Sequence, residues 1–265
     1  MKKHIPNCIT LLNLLCGVCG CILAMWKQYY PAMLFLIAAA AFDFLDGFCA
    51  RLLDAYSEIG KQLDSLSDLI SFGLAPSLMF FNWYLNTGHG CTALAYTALL
   101  IVTFAALRLA KFNVDDRQST DFIGLPTPAA AMIAAPLTAY GQVCTARGID
   151  STVTSLLNSG WFIPAASALL AFLMISEIPM ISMKHKKMSF RQFPKETIFL
   201  VCFVTIALLV VPFCSTGKET GLGFFYSILP LTLVSAFTLY ILINIAAIGT
   251  TKGKYQTERR QAAGD

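Results

Sequence analysis

The chain has 265 residues, of which 57% are hydrophobic and only 13% charged, with a net charge of +4. A water-soluble domain carries about 25% charged residues, so the composition excludes an ordinary soluble globule and leaves a membrane protein. The small basic excess is spread over connections between apolar stretches, which suits anionic membrane lipids as neighbours and gives no nucleic-acid-binding face.

Eight apolar stretches are each long enough to cross a bilayer, at residues 7–26, 31–53, 66–85, 91–110, 125–144, 161–181, 197–214 and 224–249. The expected fold is all-α, a polytopic transmembrane helix bundle of about eight spans over residues 1–249, followed by a polar cytoplasmic tail at 250–265. Cytoplasmic connections retain Lys and Arg during insertion. Placing both termini in the cytoplasm leaves only Lys27, Arg147 and Lys218 on the far side, out of 19 basic residues.

In the first stretch Lys2 and Lys3 precede an apolar run, but Asn7, Thr10 and Asn13 interrupt it and no small-residue cleavage site closes it. It reads as an uncleaved helix, not a secretory signal. Cys16-Gly17-Val18-Cys19 has the spacing of a redox motif. A thiolate forms with difficulty in hydrocarbon, and none of the nine cysteines has the His or Cys company of a closed zinc site. The cysteines read as small residues at helix contacts.

The second and third stretches hold the informative anomaly. Asp43 and Asp46 lie three apart near the end of the second, and Asp64 and Asp68 lie four apart at the start of the third, so each pair shares a helix face. The connection at 54–63 brings both pairs to one depth on the cytosolic side. An aspartate near the bilayer centre costs about 3 kcal/mol even on insertion scales, and four crowded carboxylates oppose one another's ionisation.

Divalent cations relieve that conflict. Mg²⁺ or Mn²⁺ suits carboxylates combined with substrate phosphate oxygens, and two such ions can clamp a diphosphate. Gly47 lets a ligand approach the backbone, Arg51 offers a fork to phosphate oxygens, and Gly60 spares space. Ion pairing alone does not explain the cluster, because Arg51 and Lys61 cannot neutralise four carboxylates together with Asp54 and Glu58. His4, His89 and His185 fall outside the spans, so a proton acceptor is sought among the aspartates. A cation transporter is the rival class, since intramembrane aspartates also mark ion paths. Such a protein would set its ligands near the midplane on broken helices of paired repeats, and no paired repeat is evident.

Asp43-Phe44-Leu45-Asp46-Gly47-Phe48-Cys49-Ala50-Arg51, then eight residues, then Gly60-Lys61-Gln62-Leu63-Asp64-Ser65-Leu66-Ser67-Asp68, resembles the complete signature of the CDP-alcohol phosphatidyltransferases. The resemblance implies Asp43, Asp46 and Asp64 as metal ligands for Mg²⁺ or Mn²⁺, two ions in all. It implies Asp68 as the base that also touches a metal. Gly47, Arg51, Ser57 and Gly60 would contact the CDP-lipid, and Asn7, Thr10 and Asn13 resemble the segment bordering the nucleotide pocket. The implied reaction is attack of an acceptor alcohol on the lipid-side phosphorus of CDP-diacylglycerol, with release of CMP.

The third to fifth stretches refine this. Leu66–Pro76, then Arg108-Leu109-Ala110-Lys111-Phe112-Asn113 and Phe122–Ala129, resemble the membrane-embedded phosphatidylserine synthases of bacteria. That resemblance implies L-serine as acceptor, a bacterial cytoplasmic membrane with the site facing the cytosol, and a homodimer. Glycerol 3-phosphate is the alternative acceptor. Ser71, Arg108, Lys111 and Asn113 are the candidate acceptor-binding residues, although Arg108 and Lys111 also fit a plain anchoring role at the cytosolic end of the fourth span. Pro76, Pro126, Pro128, Pro136, Pro164 and Pro179 predict kinks. The last three spans carry no interpretable motif.

Overall fold

A computed structural model describes residues 4–88, 91–114, 122–150, 152–176, 179–180 and 228–242. Helix α1 (His4–Met25) and helix α2 (Tyr29–Leu52) are joined by a tight turn in which Lys27 takes φ 60°. Gln142 secures that turn, donating Nε2 to the Lys27 carbonyl at 2.8 Å and accepting from the Tyr30 amide at 2.8 Å.

Helix α3 (Glu58–Asp68) starts earlier than the apolar stretch at 66 suggests, and the connection read at 54–63 is correspondingly shorter. Its polar first turns are stabilised locally. Ser57 is the N-cap, accepting from the Gly60 amide at 3.0 Å, and Glu58 stands in the first turn, where a negative charge suits the helix dipole. Helix α3 continues through a π turn at Leu69–Leu74 into helix α4 (Ala75–Asn86).

A 3₁₀ segment, Thr92–Leu99, runs directly into helix α5 (Leu100–Val114). Helix α6 (Thr127–Arg147) closes on Gly148, which takes the left-handed conformation at φ 64°. The short helix α7 (Thr152–Leu157), helix α8 (Phe162–Ile175) and helix α9 (residues 228–242) complete the described helices.

One detail departs from the all-α expectation: Phe122–Ile123 (β1) pairs antiparallel with Pro179–Met180 (β2), in the register Phe122 to Met180. At the adjoining turn Gly124 takes φ 79°, and a Cβ there would stand 2.5 Å from the Met174 carbonyl oxygen, so no larger residue fits.

Among the described residues, three helical stretches are long and apolar enough to cross a membrane: His4–Met25, Tyr29–Leu52 and Thr92–Val114. Leu11, Leu15, Phe44 and Phe48 stay exposed on the first two, as lipid-facing residues would. The interior is built by Met33 and Leu36 of α2, Phe72 in the π turn, Met79, Phe80 and Tyr84 of α4, and a run of buried alanines on α6. Those alanines let neighbouring helices approach closely. The expected span at 197–214, the connection at 182–196, His89, His185 and the tail at 250–265 lie outside the described residues.

Candidate active site

The site grows from the junction of α1, α2 and α3. Asp43 comes from α2, and Asp64 and Asp68 come from α3. Each of the three offers a carboxylate oxygen, and these oxygens lie within 4.8 Å of one another. Asp46, one turn beyond Asp43, is outside that set of three; it is 6% exposed and acts electrostatically on Asp68.

Polar contacts with α1 fix Asp68, the last residue of α3. Asn13 donates Nδ2 to Asp68 Oδ1 at 3.2 Å. On either side Ser67 Oγ donates to the Thr10 carbonyl at 3.3 Å and Ser71 Oγ donates to the Asn13 carbonyl at 3.1 Å. The approach depends on Gly17, where a Cβ would come within 2.7 Å of Ser71 Cα and 2.9 Å of its amide nitrogen.

The remaining predicted residues divide into groups. Asn7, Ser57 and Gly60 gather where α3 begins: a Cβ on Gly60 would lie 2.9 Å from Ser57 Oγ and 3.0 Å from Asn7 Oδ1. Gly47 and Arg51 are neighbours on α2, and Arg51 is exposed.

Thr10 and Ser71 are both buried and bond to backbone carbonyls of α1. Thr10 is 3% exposed and donates its hydroxyl to the Pro6 carbonyl at 3.0 Å, while Ser71 is fully buried against α1. The Thr10 hydroxyl is spent within α1, and that of Ser71 crosses the seam to α1. Asn113 ties α5 to α3, donating Nδ2 to Ser65 Oγ at 2.8 Å while its carbonyl accepts from Lys61 Nζ at 3.0 Å. Lys111 is exposed.

Arg108 is the predicted acceptor residue that the fold carries inward. It is 6% exposed, and its electrostatic neighbours are Asp68 and Tyr240. Its Nε has no hydrogen-bond partner among the described residues. Sequence reasoning missed Tyr240, because a lone tyrosine in an apolar run carries no signal of what it will face.

Three converging carboxylates form an all-oxygen donor set, and that chemistry fits a hard divalent cation better than a soft one.

The sequence profile described as CDP-alcohol phosphatidyltransferase matches residues 3–173. The chain belongs to that family. Curated relatives agree with one another in name. The chain is 37% identical over 134 residues to the CDP-diacylglycerol--serine O-phosphatidyltransferase of Bacillus subtilis, covering 49% of this chain and 72% of that protein. A Helicobacter pylori protein of the same name is 38% identical over 130 residues, covering 48% of this chain and 54% of that protein. A third, from Methanocaldococcus jannaschii, is 28% identical over 207 residues, covering 78% of this chain and 83% of that protein. In this family member the matched region contains every aspartate of the cluster and ends before α9.

Proposed function

We propose that the chain is an integral membrane enzyme that transfers the phosphatidyl group of CDP-diacylglycerol to L-serine, giving phosphatidylserine and CMP. The observation that carries this reading is the convergence of Asp43, Asp64 and Asp68 within 4.8 Å, with Arg108 buried beside them. The common name of its relatives supports serine as the acceptor.

In this reading Asp43, Asp46, Asp64 and Asp68 hold two divalent cations, Mg²⁺ or Mn²⁺. When bound, such ions offset the charge of the diphosphate and of the departing CMP. Asp68 is the base. Asn13 occupies its Oδ1, which fixes the carboxylate plane and leaves Oδ2 to take the proton of the serine hydroxyl. The serine oxygen then bonds to the lipid-side phosphorus as the bond from that phosphorus to the CMP oxygen breaks, and CMP leaves with the electron pair. Positioning supplies much of the rate.

Gly47, Arg51, Ser57, Gly60 and Asn7 are assigned to the CDP-lipid. The exposed guanidinium of Arg51 suits its phosphates, and the crowded corner of Asn7, Ser57 and Gly60 suits the nucleotide. Thr10 and Ser71 are assigned to packing. Residues 1–249 form the catalytic membrane domain of about eight spans, residues 250–265 form a tail, both termini are cytoplasmic, and the site opens to the cytosol of a bacterium. Anionic lipids border the basic connections, and the chain forms a homodimer.

The test is CMP release by purified protein given CDP-diacylglycerol and Mn²⁺ or Mg²⁺, separately with serine, glycerol 3-phosphate and inositol. Release with serine is expected. Release with glycerol 3-phosphate or inositol and none with serine would overturn the acceptor while leaving the phosphatidyl transfer in place.

A further inference from the structure

Arg108 is out of the ordinary for a residue expected to anchor the end of a span. Burying a guanidinium is costly unless its donors are satisfied. It carries five N–H donors in a rigid fork. The described surroundings supply Asp68 and Tyr240 as electrostatic partners, and Nε is left without a hydrogen bond. Asp68 is already engaged by Asn13. The fork therefore has donor capacity that the described residues leave unused, and its geometry suits a carboxylate or phosphate oxygen pair.

Tyr240 belongs to α9, which lies in sequence beyond residues 3–173 matched by the family profile. The helix is seated firmly. Ile228, Thr232, Ala236 and Ile241 are buried, and Leu233, Phe237 and Tyr240 pack on the main hydrophobic core. A tyrosine at this point keeps its ring in the apolar contact and is an electrostatic neighbour of the buried cation, with a hydroxyl oxygen able to accept a hydrogen bond.

We propose that Tyr240 is a positioning residue: it braces the Arg108 guanidinium beside Asp68, so that the fork receives the carboxylate of the amino-acid acceptor and sets its hydroxyl at the base. The assignment rests on serine as acceptor. It gives helix α9 a part in choosing the acceptor, since an alcohol without an anionic group would leave the fork unsatisfied.

The test is steady-state kinetics of the full-length protein in lipid, with L-serine and CDP-diacylglycerol titrated separately for wild type, Tyr240→Phe and Arg108→Lys. Tyr240→Phe keeps the ring and removes the hydroxyl. It is expected to raise KM for serine about tenfold, the scale of losing one polar contact to a charged group, with KM for CDP-diacylglycerol within about twofold and the thermal midpoint unchanged. Arg108→Lys keeps the charge, loses the fork, and should raise KM for serine by more. An unchanged serine KM in Tyr240→Phe overturns the assignment. A rise confined to the CDP-diacylglycerol KM gives the fork to the lipid diphosphate and overturns it too. If Tyr240→Phe is not recovered folded, the same two titrations on Arg108→Lys decide the outcome. Wild-type protein that releases no CMP with serine overturns the acceptor reading and this assignment with it, whereas wild-type turnover with insensitive variants sinks the assignment alone.

Discussion

Asn13 and Asp68 are 55 positions apart in sequence, yet the Asn13 amide reaches Asp68 Oδ1 at 3.2 Å. The bond joins the first helix to the proposed base and is flanked by two serine-to-carbonyl contacts along the same seam. It orients a carboxylate that three other aspartates would otherwise displace. Replacing Asn13 with Ala should lower kcat about tenfold, because a bond to a charged group contributes about 1.5–3 kcal/mol, with KM for serine little changed. Wild-type kcat in this variant would remove Asn13 from the orienting role.

The four aspartates should each be indispensable. Changing Asp43, Asp46, Asp64 or Asp68 singly to Asn keeps shape and loses charge, so CMP release should fall to near background while the protein still inserts. Asp68→Asn should still bind CDP-lipid with metal, and Asp43→Asn should bind it more weakly. Equilibrium binding of labelled CDP-diacylglycerol in the presence of Mn²⁺ separates these two roles.

Metal removal offers an independent check. Chelation should abolish CMP release, and added Mg²⁺ or Mn²⁺ should restore it. Activity that persists after exhaustive chelation would contradict the reading of the carboxylate cluster.

Two glycines should behave in opposite ways. A side chain on Gly17 would collide with the Ser71 backbone, so Gly17→Val should destabilise by about 2 kcal/mol. On Gly47 the added Cβ meets Arg51 Nη1 at an ordinary 3.7 Å. Gly47→Ala should therefore fold as well as wild type and raise KM for CDP-diacylglycerol. Thermal midpoints and titrations on both variants give the comparison.

The cysteines should matter for packing only. Replacing Cys16, Cys19 and Cys21 together with Ala should change the thermal midpoint more than the turnover. Loss of all turnover in a folded triple variant would point to thiol chemistry.

How far the sequence led can be judged residue by residue. The periodicity of Asp43 with Asp46 and of Asp64 with Asp68 was enough to place carboxylates on common faces, because helical spacing is a local property. The apolar runs of α1 and α2 marked those helices to within a few residues. The start of α3 is not legible in the apolar run, since its first turns are polar and are stabilised by the Ser57 cap. The resemblance puts Thr10 in the segment bordering the nucleotide pocket, and Ser71 is a candidate acceptor contact, but neither assignment tells which carbonyl a hydroxyl will find. Only the fold shows where their protons go: to carbonyls of α1, from Thr10 within the helix and from Ser71 across the seam. Arg108 was ambiguous for a similar reason: inward or outward at the end of a span depends on which helices surround it. The pairing of residues 122–123 with 179–180 joins segments too distant for any local pattern to reveal.

The π turn at Leu69–Leu74 sits between Asp68 and the helix that anchors it in the bundle, and it holds one residue more per hydrogen-bonded turn than an α-helix does. Chain length is therefore counted at this point. Deleting one residue from the segment would let it relax to α-helix and swing everything before it by about 100° relative to α4, carrying Asp64 and Asp68 away from Asp43. Packing constrains what Ser71 and Phe72 can become, whereas a single-codon deletion anywhere in the stretch would dismantle the carboxylate cluster without touching any residue in it.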